Sequence, residues 1–227
     1  MYDIIFISYN EAQADDSWKT LKDRFPYAKR IHGVKGIHQA HIEAAKVAVT
    51  DMLWIVDADA IVLDSFDFSY IPDITNQDTV HVYTSINPIN GLEYGNGGVK
   101  LFPRLATVNM DTTTNDMSTS ISDKFKVVDE ISNIAAFNVD EFSTWRSAFR
   151  ECAKLSSKTI KGQVDDETNE RLRIWTTVGK DKPFGKYCIK GASDGMEFGL
   201  SNGADLNLIN NFDWLKEKYN ADCWNTR

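Results

Sequence analysis

Two aspartates separated by one residue, Asp57 and Asp59, are the residues of this chain best placed to do chemistry. They follow an apolar run, Leu53 to Val56, and this pattern predicts a buried strand that ends in an acidic tip. In an extended segment the two carboxylates point to the same side, so they can bind one hard cation, directly or through water, and that cation could clamp a diphosphate. About two D-x-D triplets are expected by chance in such a chain, so a solvated strand end is the alternative.

The segments before this tip alternate between strand and helix patterns. Residues 2–9 form the first predicted strand, and an amphipathic helix that ends at Pro26 follows it. A second strand over residues 28–34 and a helix over 37–49, with alanines towards the sheet, come next. This alternation is typical of an α/β fold in which helices cover a parallel sheet and ligands bind at the strand ends.

The length of 227 residues and the apolar content of 42% are ordinary for one compact globular domain. We find no secretory signal and no apolar stretch long enough to cross a bilayer, so we expect a soluble, cytoplasmic protein without a membrane partner. Cys152, Cys188 and Cys223 lie far apart and lack C-x-x-C spacing. Their number and spacing fit a reducing compartment and argue against a disulfide framework or a zinc site.

The net charge of −8 argues against a nucleic-acid partner, because phosphate binding depends on Lys and Arg. The basic residues are, however, concentrated in two segments, 18–46 and 146–161. In the second segment, basic residues recur every four positions along a helix predicted over 142–158: Arg146, Arg150, Lys154 and Lys158. This basic stripe is either a solvated helix face or an anion-binding surface.

A glycine- and asparagine-rich segment, residues 87–98, precedes an apolar strand that begins at Val99. Its four glycines and three asparagines adopt backbone conformations that bulkier residues resist, and they let the backbone approach a ligand. The segment is therefore a candidate wall of a binding site, with a hairpin turn as the alternative.

Three short motifs near the amino terminus together resemble the first half of GT-A glycosyltransferases, especially the family 2 type. They are Ile7-Ser8-Tyr9-Asn10-Glu11-Ala12, Gly36 with the small-residue helix after it, and Trp54 to Asp59 with its D-x-D. The resemblance implies a GT-A fold: an α/β, Rossmann-like, mostly parallel sheet flanked by helices in a single domain. It also implies a nucleotide-sugar and metal half over about residues 1–108 and an acceptor half over about 109–227.

The same resemblance assigns roles to single residues. Five residues would bind the nucleotide sugar: Ser8, Tyr9, Asn10, Lys35 and Asp57. Tyr9 would face the base, Lys35 would lie near base or phosphate, and Asp57 and Asp59 would carry Mn²⁺ or Mg²⁺. From the residues alone, Tyr9 is equally a core aromatic and Lys35 a solvated turn residue. His38 and His41 are expected to be surface residues and not metal ligands.

Two further segments resemble family 8 glycosyltransferases. Asn96-Gly97-Gly98-Val99 is similar to the Asn-x-Gly segment that lines the donor sugar and acceptor in that family. Gly179 to Phe184 resembles a G-x-x-K-P-W element that folds over the diphosphate, with Lys182 as its lysine. Thr176 stands where that family has a metal-binding histidine, which leaves the third metal ligand open.

These features favour a metal-dependent glycosyltransferase that moves a sugar from a nucleoside-diphosphate sugar, expected to be a UDP-sugar, to an acceptor hydroxyl. An inverting enzyme needs a carboxylate base, and the candidates are Asp129, Glu130 and Asp194, the last in a predicted flexible loop over residues 191–195. The sequence does not choose among them. The front half resembles an inverting family and the Lys182 element a retaining one, so the stereochemical outcome is also open.

Other functions stay open at this point. Asp57-Ala-Asp59-Ala-Ile61 is close to the D-x-D-x-[TV] motif of haloacid-dehalogenase-like phosphatases, although that motif usually lies on the first strand. A non-enzymatic nucleotide- or nucleic-acid-binding protein on a transferase scaffold is a second alternative. As a whole, the chain resembles bacteriophage-encoded glycosyltransferases, some of which modify hydroxymethylated phage DNA. The candidate acceptors are therefore DNA, through 5-hydroxymethylcytosine in a bacterial cytoplasm, and also a protein, a glycan or a small molecule.

Overall fold

The computed structural model describes residues 1–113, 117–159, 163–201 and 203–224. The chain is α/β, as predicted, and seven strands within these residues form one sheet flanked by helices. Two compact units are present, one made of Met1–Asn87 with Glu93–Ala136 and the other of Pro88–Leu92 with Phe137–Arg227. No helix in the described ranges is both long enough and apolar enough to cross a membrane.

The first unit begins with the predicted alternation of strands and helices. The elements up to the acidic tip are β1 (Asp3–Ser8), α1 (Ala14–Arg24), β2 (Lys29–His32), α2 (Ile37–Val47) and β3 (Met52–Asp57). The later elements are β4 (Ala60–Val62), a 3-10 helix (Ile74–Asn76), β5 (Val80–Ile86), β6 (Glu93–Pro103), α3 (Arg104–Val108), α4 (Met117–Ile121) and β7 (Phe125–Ala135). The prediction of the first five elements is confirmed, with small shifts at their ends.

The sheet is mixed, and the prediction of a mostly parallel sheet is wrong. Its strand order is β2-β1-β3-β6-β5-β7-β4. β1 is parallel to β2 and β3, and β5 is parallel to β7, whereas the β3–β6, β5–β6 and β4–β7 pairs are antiparallel. The connection between β5 and β6, residues 87–92, is too short for a parallel crossover and therefore closes an antiparallel pair.

Both faces of β3 are buried, which explains the uninterrupted apolar run before Asp57. On one face the Trp54 ring packs against Phe66 and Tyr83, with ring centroids 5.7 and 5.1 Å apart. On the other face Ile55 shares a buried cluster with alanines of α2 and its carboxyl end: Ala40, Ala44, Ala45 and Ala48. These small side chains let α2 approach the sheet closely and support the strand that carries the acidic tip.

The regular secondary structure described in the second unit consists of helices. Its elements are α5 (Glu141–Ser156), α6 (Asp165–Thr177), α7 (Gly185–Leu200), a 3-10 helix (Leu206–Asn210) and α8 (Phe212–Trp224). Asp140 caps α5, because its carboxylate accepts a hydrogen bond of 2.7 Å from the Ser143 N–H. Trp145 and Phe149 of α5 are fully buried and stack with their ring centroids 4.8 Å apart.

The prediction of a flexible loop over residues 191–195 is wrong, because these residues lie inside α7. Gly191 and Gly195 are four residues apart and share one helix face. A Cβ at Gly191 would lie 2.2 Å from the Trp145 carbonyl oxygen, and one at Gly195 would lie 2.1 Å from that of Phe149. These glycines let α7 pack backbone to backbone against α5, so their role is close packing and not flexibility.

Candidate functional site

The acidic tip of β3 is joined to β6 by an ion pair between Asp57 and Lys100. The Lys100 Nζ lies 2.6 Å from Asp57 Oδ2, and it also donates a hydrogen bond of 2.5 Å to the Gly97 carbonyl oxygen. The Lys100 side chain is 3% exposed and that of Asp57 is 28% exposed. The tip is therefore not a simple solvated strand end, because one of its carboxylates is engaged by an interior cation.

The second oxygen of Asp57, Oδ1, is buried and has no hydrogen-bond partner among the residues that the structure describes. Burial raises the pKa of Asp57 to about 6; Lys100 opposes this rise, and the charges of Asp59 and Glu11 add to it. The carboxylate is therefore mostly ionised near neutral pH. A buried anionic oxygen without a partner is an acceptor that a cation can satisfy.

Asp59 lies on the turn between β3 and β4 and is half-buried. Its carbonyl oxygen accepts a hydrogen bond of 2.6 Å from the Ala136 N–H at the end of β7. Just beyond it, the Arg24 guanidinium donates hydrogen bonds of 3.0 to 3.2 Å to four carbonyl oxygens, those of Val62, Leu63, Asp64 and Phe66. Helix α1 and strand β7 thus hold the segment that presents Asp59.

The histidines of α2 do not add to this pair of carboxylates. His41 is fully buried, and its Nδ1 bonds the Ile37 carbonyl oxygen at 2.8 Å, so the expectation of a surface residue is wrong for His41. Burial lowers the pKa of His41 well below its usual range, which keeps the ring neutral. Within the described ranges, no group of three or more His, Cys, Asp or Glu side chains could hold a metal.

The carboxyl ends of three parallel strands meet at one edge of the sheet. Ile7 of β1 pairs with Asp57 of β3, and Ser8 of β1 pairs with His32 of β2. The Ser8 Oγ accepts a hydrogen bond of 2.9 Å from Arg30 Nε and lies 3.0 Å from His32 Nδ1. This edge is where open α/β sheets bind their ligands.

Three more of the predicted nucleotide-binding residues lie in the loops that follow β1 and β2 at this edge: Tyr9, Asn10 and Lys35. Tyr9 is 42% exposed, so the alternative that it is a core aromatic is wrong. Its N–H donates a hydrogen bond of 2.7 Å to a Glu11 carboxylate oxygen, which fixes the start of the loop. Asn10 and Lys35 are exposed. Lys35 precedes α2, as expected for a turn residue, and both side chains are accessible to a ligand.

Asn96 lies within β6 and not in a loop before it, since the strand begins at Glu93. Its Oδ1 accepts hydrogen bonds from the Ser85 hydroxyl at 2.6 Å and from the Gly98 N–H at 3.0 Å. Ser85 is fully buried and lies 2.7 Å from Asn133 Oδ1, so β5 and β7 both support this arrangement. With its oxygen held in this way, the exposed Asn96 is left with its N–H groups to offer a ligand.

Backbone conformation at one position and close side-chain packing at another explain two glycines of the same segment. Gly97 has φ +81°, a left-handed conformation that favours glycine. A Cβ at Gly98 would lie 2.7 Å from Asn133 Nδ2 and 3.3 Å from the Ala60 Cβ. Close packing against β4 and β7 therefore accounts for Gly98, and the Gly97 conformation directs the carbonyl that Lys100 binds.

The three candidate bases lie in two different settings. Asp129 and Glu130 are exposed on β7, where the pairing with β5 shifts register, and the strand continues past them to Ala135. Asp194 is 12% exposed on α7, where Trp145 Nε1 and Lys190 Nζ donate to its two oxygens at 2.8 and 2.5 Å. Asp194 is thus engaged by two donors, whereas the other two carboxylates are open to solvent.

The predicted basic stripe is interrupted. Arg146, Arg150 and Lys154 lie on α5, but the helix ends at Ser156 and Lys158 adopts φ +58° beyond it. Lys158 Nζ pairs with Asp165 at 2.7 Å. The Arg146 guanidinium lies 5.4 Å from the Phe212 ring centroid, and Arg150 Nη2 donates a hydrogen bond of 2.8 Å to Asn210 Oδ1. The prediction of four basic residues on one continuous helix is therefore wrong, because α5 ends before Lys158 and Lys158 has a left-handed backbone conformation.

The turn that carries Lys182 is tightly built. The Lys182 N–H donates a hydrogen bond of 3.1 Å to the Gly179 carbonyl oxygen, and the Lys182 side chain is exposed. Gly179 has φ +92°, and a Cβ there would lie 2.4 Å from the Ile89 carbonyl oxygen. The turn presents Lys182 to solvent, while the Thr176 hydroxyl donates to the Leu172 carbonyl oxygen at 2.8 Å within α6.

Sequence reasoning missed Lys100, Arg30 and His32. A single lysine inside the apolar run Val99 to Phe102 was a detectable signal, because a lysine in a buried strand needs a partner. The chain matches no protein-family model. It also matches none of the curated proteins.

Proposed function

We propose that this chain is a metal-dependent glycosyltransferase of the GT-A type that uses a nucleoside-diphosphate sugar. The observation that carries the proposal is the buried Asp57 Oδ1, a carboxylate oxygen with no hydrogen-bond partner in the described part of the chain. It lies at the edge where open α/β sheets bind their ligands. Asp59 follows on a turn that is fixed to β7. Two carboxylates in this arrangement suit a hard divalent cation, Mg²⁺ or Mn²⁺.

The residues present fit such a cation when the substrate completes its coordination. Asp57 offers one oxygen and Asp59 a carboxylate, whereas Mg²⁺ takes about six oxygen ligands and usually keeps substrate phosphates and waters among them. Lys100 offsets one of the two negative charges. When bound, the cation neutralises charge on the departing diphosphate. We therefore expect the cation and the diphosphate to raise each other's affinity.

The chain's own residues bind and orient the donor in this proposal. Asn96, with its oxygen held by Ser85 and Gly98, donates its N–H groups to sugar oxygens. The exposed ring of Tyr9 stacks on the base of the nucleotide, which we expect to be uracil. Ser8 ends β1 at the same edge, and Asn10 and Lys35 lie in the loops that follow β1 and β2 there.

Exposure favours Asp129 and Glu130 over Asp194 as the base that accepts the proton of the acceptor hydroxyl. Both lie on β7 in the unit that contains Asp57, and a general base must be open to its substrate. Asp194 already accepts hydrogen bonds from Trp145 and Lys190. Its loss should therefore act on the stability of the helix pair before it acts on proton transfer.

DNA is one acceptor that we propose to test. The structure offers less support for DNA binding than for binding of the nucleotide-sugar donor. Arg146 contacts Phe212, Arg150 bonds Asn210 and Lys158 pairs with Asp165, so these expected phosphate contacts already have partners inside the unit. Reversing Arg150 and Lys154 to Glu should weaken hydroxymethylcytosine duplex binding if DNA is the acceptor. Glycan, protein and small-molecule acceptors belong in the same assay.

Calorimetric titration with UDP, GDP and a deoxynucleoside diphosphate, each with Mn²⁺ and with excess chelator, tests the proposed donor site. We expect one nucleoside diphosphate to bind preferentially, with binding weakened about tenfold or more in chelator, because the cation and the diphosphate are coupled. Asp64→Asn removes a fully exposed carboxylate just after β4 and should leave binding unchanged, whereas Asp59→Asn should weaken it. Nucleotide binding that depends neither on the metal nor on the identity of the nucleobase would favour the non-enzymatic binding protein. Hydrolysis of simple phosphate monoesters would favour the phosphatase.

A further inference from the structure

Lys100 is a charged residue in the interior of the sheet. Its side chain is 3% exposed, and its neighbours on β6, Val99 and Leu101, are fully buried. A buried ammonium is strongly disfavoured unless it is paired and hydrogen-bonded. Lys100 has two such partners, Asp57 Oδ2 at 2.6 Å and the Gly97 carbonyl oxygen at 2.5 Å.

The register of the sheet explains how one lysine reaches both partners. Ile55 pairs with Lys100 across the antiparallel β3–β6 ladder, and Asp57 lies two residues beyond Ile55, on the same face of β3. Because β6 runs in the opposite direction, Gly97 lies towards the same end of the ladder as Asp57. The methylene stem of Lys100 lies in the apolar interior and carries the ammonium to that end.

The two partners belong to two parts of the proposed donor site. Asp57 is the first carboxylate of the acidic tip, and Gly97 follows Asn96, the proposed sugar contact. Because Asp57 Oδ2 is engaged by Lys100, the carboxylate is left with Oδ1 for a cation. One ammonium thus joins the cation ligand to the glycine-rich part of β6.

We propose that Lys100 is a positioning residue that sets the orientation of Asp57 and the placing of the Asn96-Gly97 backbone for donor binding. The inference rests on the proposed function, since it concerns the same site. A purely structural role explains less, because a buried ion pair often adds no stability over apolar residues of similar size. Partners that orient metal ligands, by contrast, typically change metal affinity or activity by about 10- to 100-fold when they are removed.

Calorimetric titration with UDP and Mn²⁺ of wild type, Lys100→Met, Asp57→Asn and the variant with both changes tests this role. Lys100→Met should weaken UDP binding about 10- to 100-fold at unchanged stoichiometry. It should add little to the effect of Asp57→Asn, because Lys100 acts through that carboxylate. Lys46→Met removes an exposed lysine paired with Glu43 and should bind as wild type does. Lys100→Arg keeps the charge but changes the geometry, so it should fold and still bind more weakly.

A reduced stoichiometry with the wild-type affinity in Lys100→Met would overturn the inference, because it would show only a smaller folded fraction. Wild-type affinity in Lys100→Arg, or an undiminished effect of Lys100→Met in the Asp57→Asn background, would overturn it as well. In these cases the wild type still binds UDP with Mn²⁺, and the proposed function stands. A wild type that binds no nucleoside diphosphate overturns the proposed function, and the inference with it.

Discussion

Lys100 and Asp57 form an ion pair across the β3–β6 ladder in which the lysine is almost fully buried and the aspartate retains 28% exposure. Removing one partner of a fully buried pair typically costs about 3 to 5 kcal/mol, because the other charge is left without compensation. The exposure of Asp57 reduces this penalty, so we expect Lys100→Met to lower the free energy of unfolding by about 2 kcal/mol. Urea unfolding followed by circular dichroism measures the change.

Two further variants control this prediction. Lys46→Met removes one partner of an exposed pair and should change the free energy of unfolding by less than about 1 kcal/mol. Combining Asp57→Asn with Lys100→Met removes both charges and should recover most of the loss. A loss in the combined variant as large as that in Lys100→Met would show that packing of the lysine stem, and not its charge, accounts for the effect.

Arg24 gives a prediction for the segment beyond Asp59. Its guanidinium donates to four carbonyl oxygens, and the single ammonium of Arg24→Lys cannot reproduce that fork. Hydrogen exchange of the amides in residues 62–66 should therefore become faster in Arg24→Lys. Arg173→Lys, which changes an exposed arginine paired with Glu170, is the matched control. Unchanged exchange over residues 62–66 would mean that β4 and β7 alone hold this segment.

At the glycines of α7, substitution by alanine should change stability in the direction opposite to that expected from helix propensity. Alanine is favoured over glycine by about 1 kcal/mol in a helix interior, yet a Cβ at Gly195 would lie 2.1 Å from the Phe149 carbonyl oxygen. Gly195→Ala should therefore lower the thermal unfolding midpoint. Ser193→Ala changes a half-buried residue of the same helix and should have a small effect. A raised midpoint in Gly195→Ala would contradict the backbone packing of α5 and α7.

The loss of folding stability at acid pH should depend on Asp3. Burial opposes its ionisation, but hydrogen bonds from Lys29 and from the Val49 and Thr50 N–H groups prevail and lower the pKa of Asp3. A carboxyl group whose pKa is lower in the folded state stabilises the fold above its unfolded pKa of about 3.9. This stabilisation is lost as the pH falls through the folded value. Asp3→Asn should therefore reduce the difference in urea midpoint between neutral and acid pH, and an unchanged difference would assign the loss at acid pH to other groups.

The sequence predicts the fold well where local pattern and burial agree. β1 to β3 and the alanine face of α2 follow from apolar runs, turn residues and spacing, and these devices also locate Asp57 and Asp59. The antiparallel course of β6 could not be derived in the same way, because strand direction depends on which strands pair. Lys100 was missed for that reason, since its contact with Asp57 exists only in the β3–β6 register.

Glycine was misinterpreted for a related reason. In the sequence, Gly191 and Gly195 predict a flexible loop, whereas in the structure their four-residue spacing places them on a helix face that touches another backbone. The same residue type in Asn96-Gly97-Gly98 serves a positive φ and a close strand contact. The meaning of a glycine therefore depends on its tertiary neighbours, which a single sequence does not display.

We propose that Asp57 and Asp59 form the cation and diphosphate site of a sugar-transfer enzyme. The most direct test of this proposal is the release of nucleoside diphosphate from a panel of UDP- and GDP-sugars by wild type and Asp59→Ala, with Mn²⁺ and with excess chelator. We predict that the wild type releases one nucleotide only with Mn²⁺, and that Asp59→Ala releases none although its circular dichroism is unchanged. Full release by the wild type in excess chelator, or by Asp59→Ala with Mn²⁺, would show that these carboxylates do not hold a required cation.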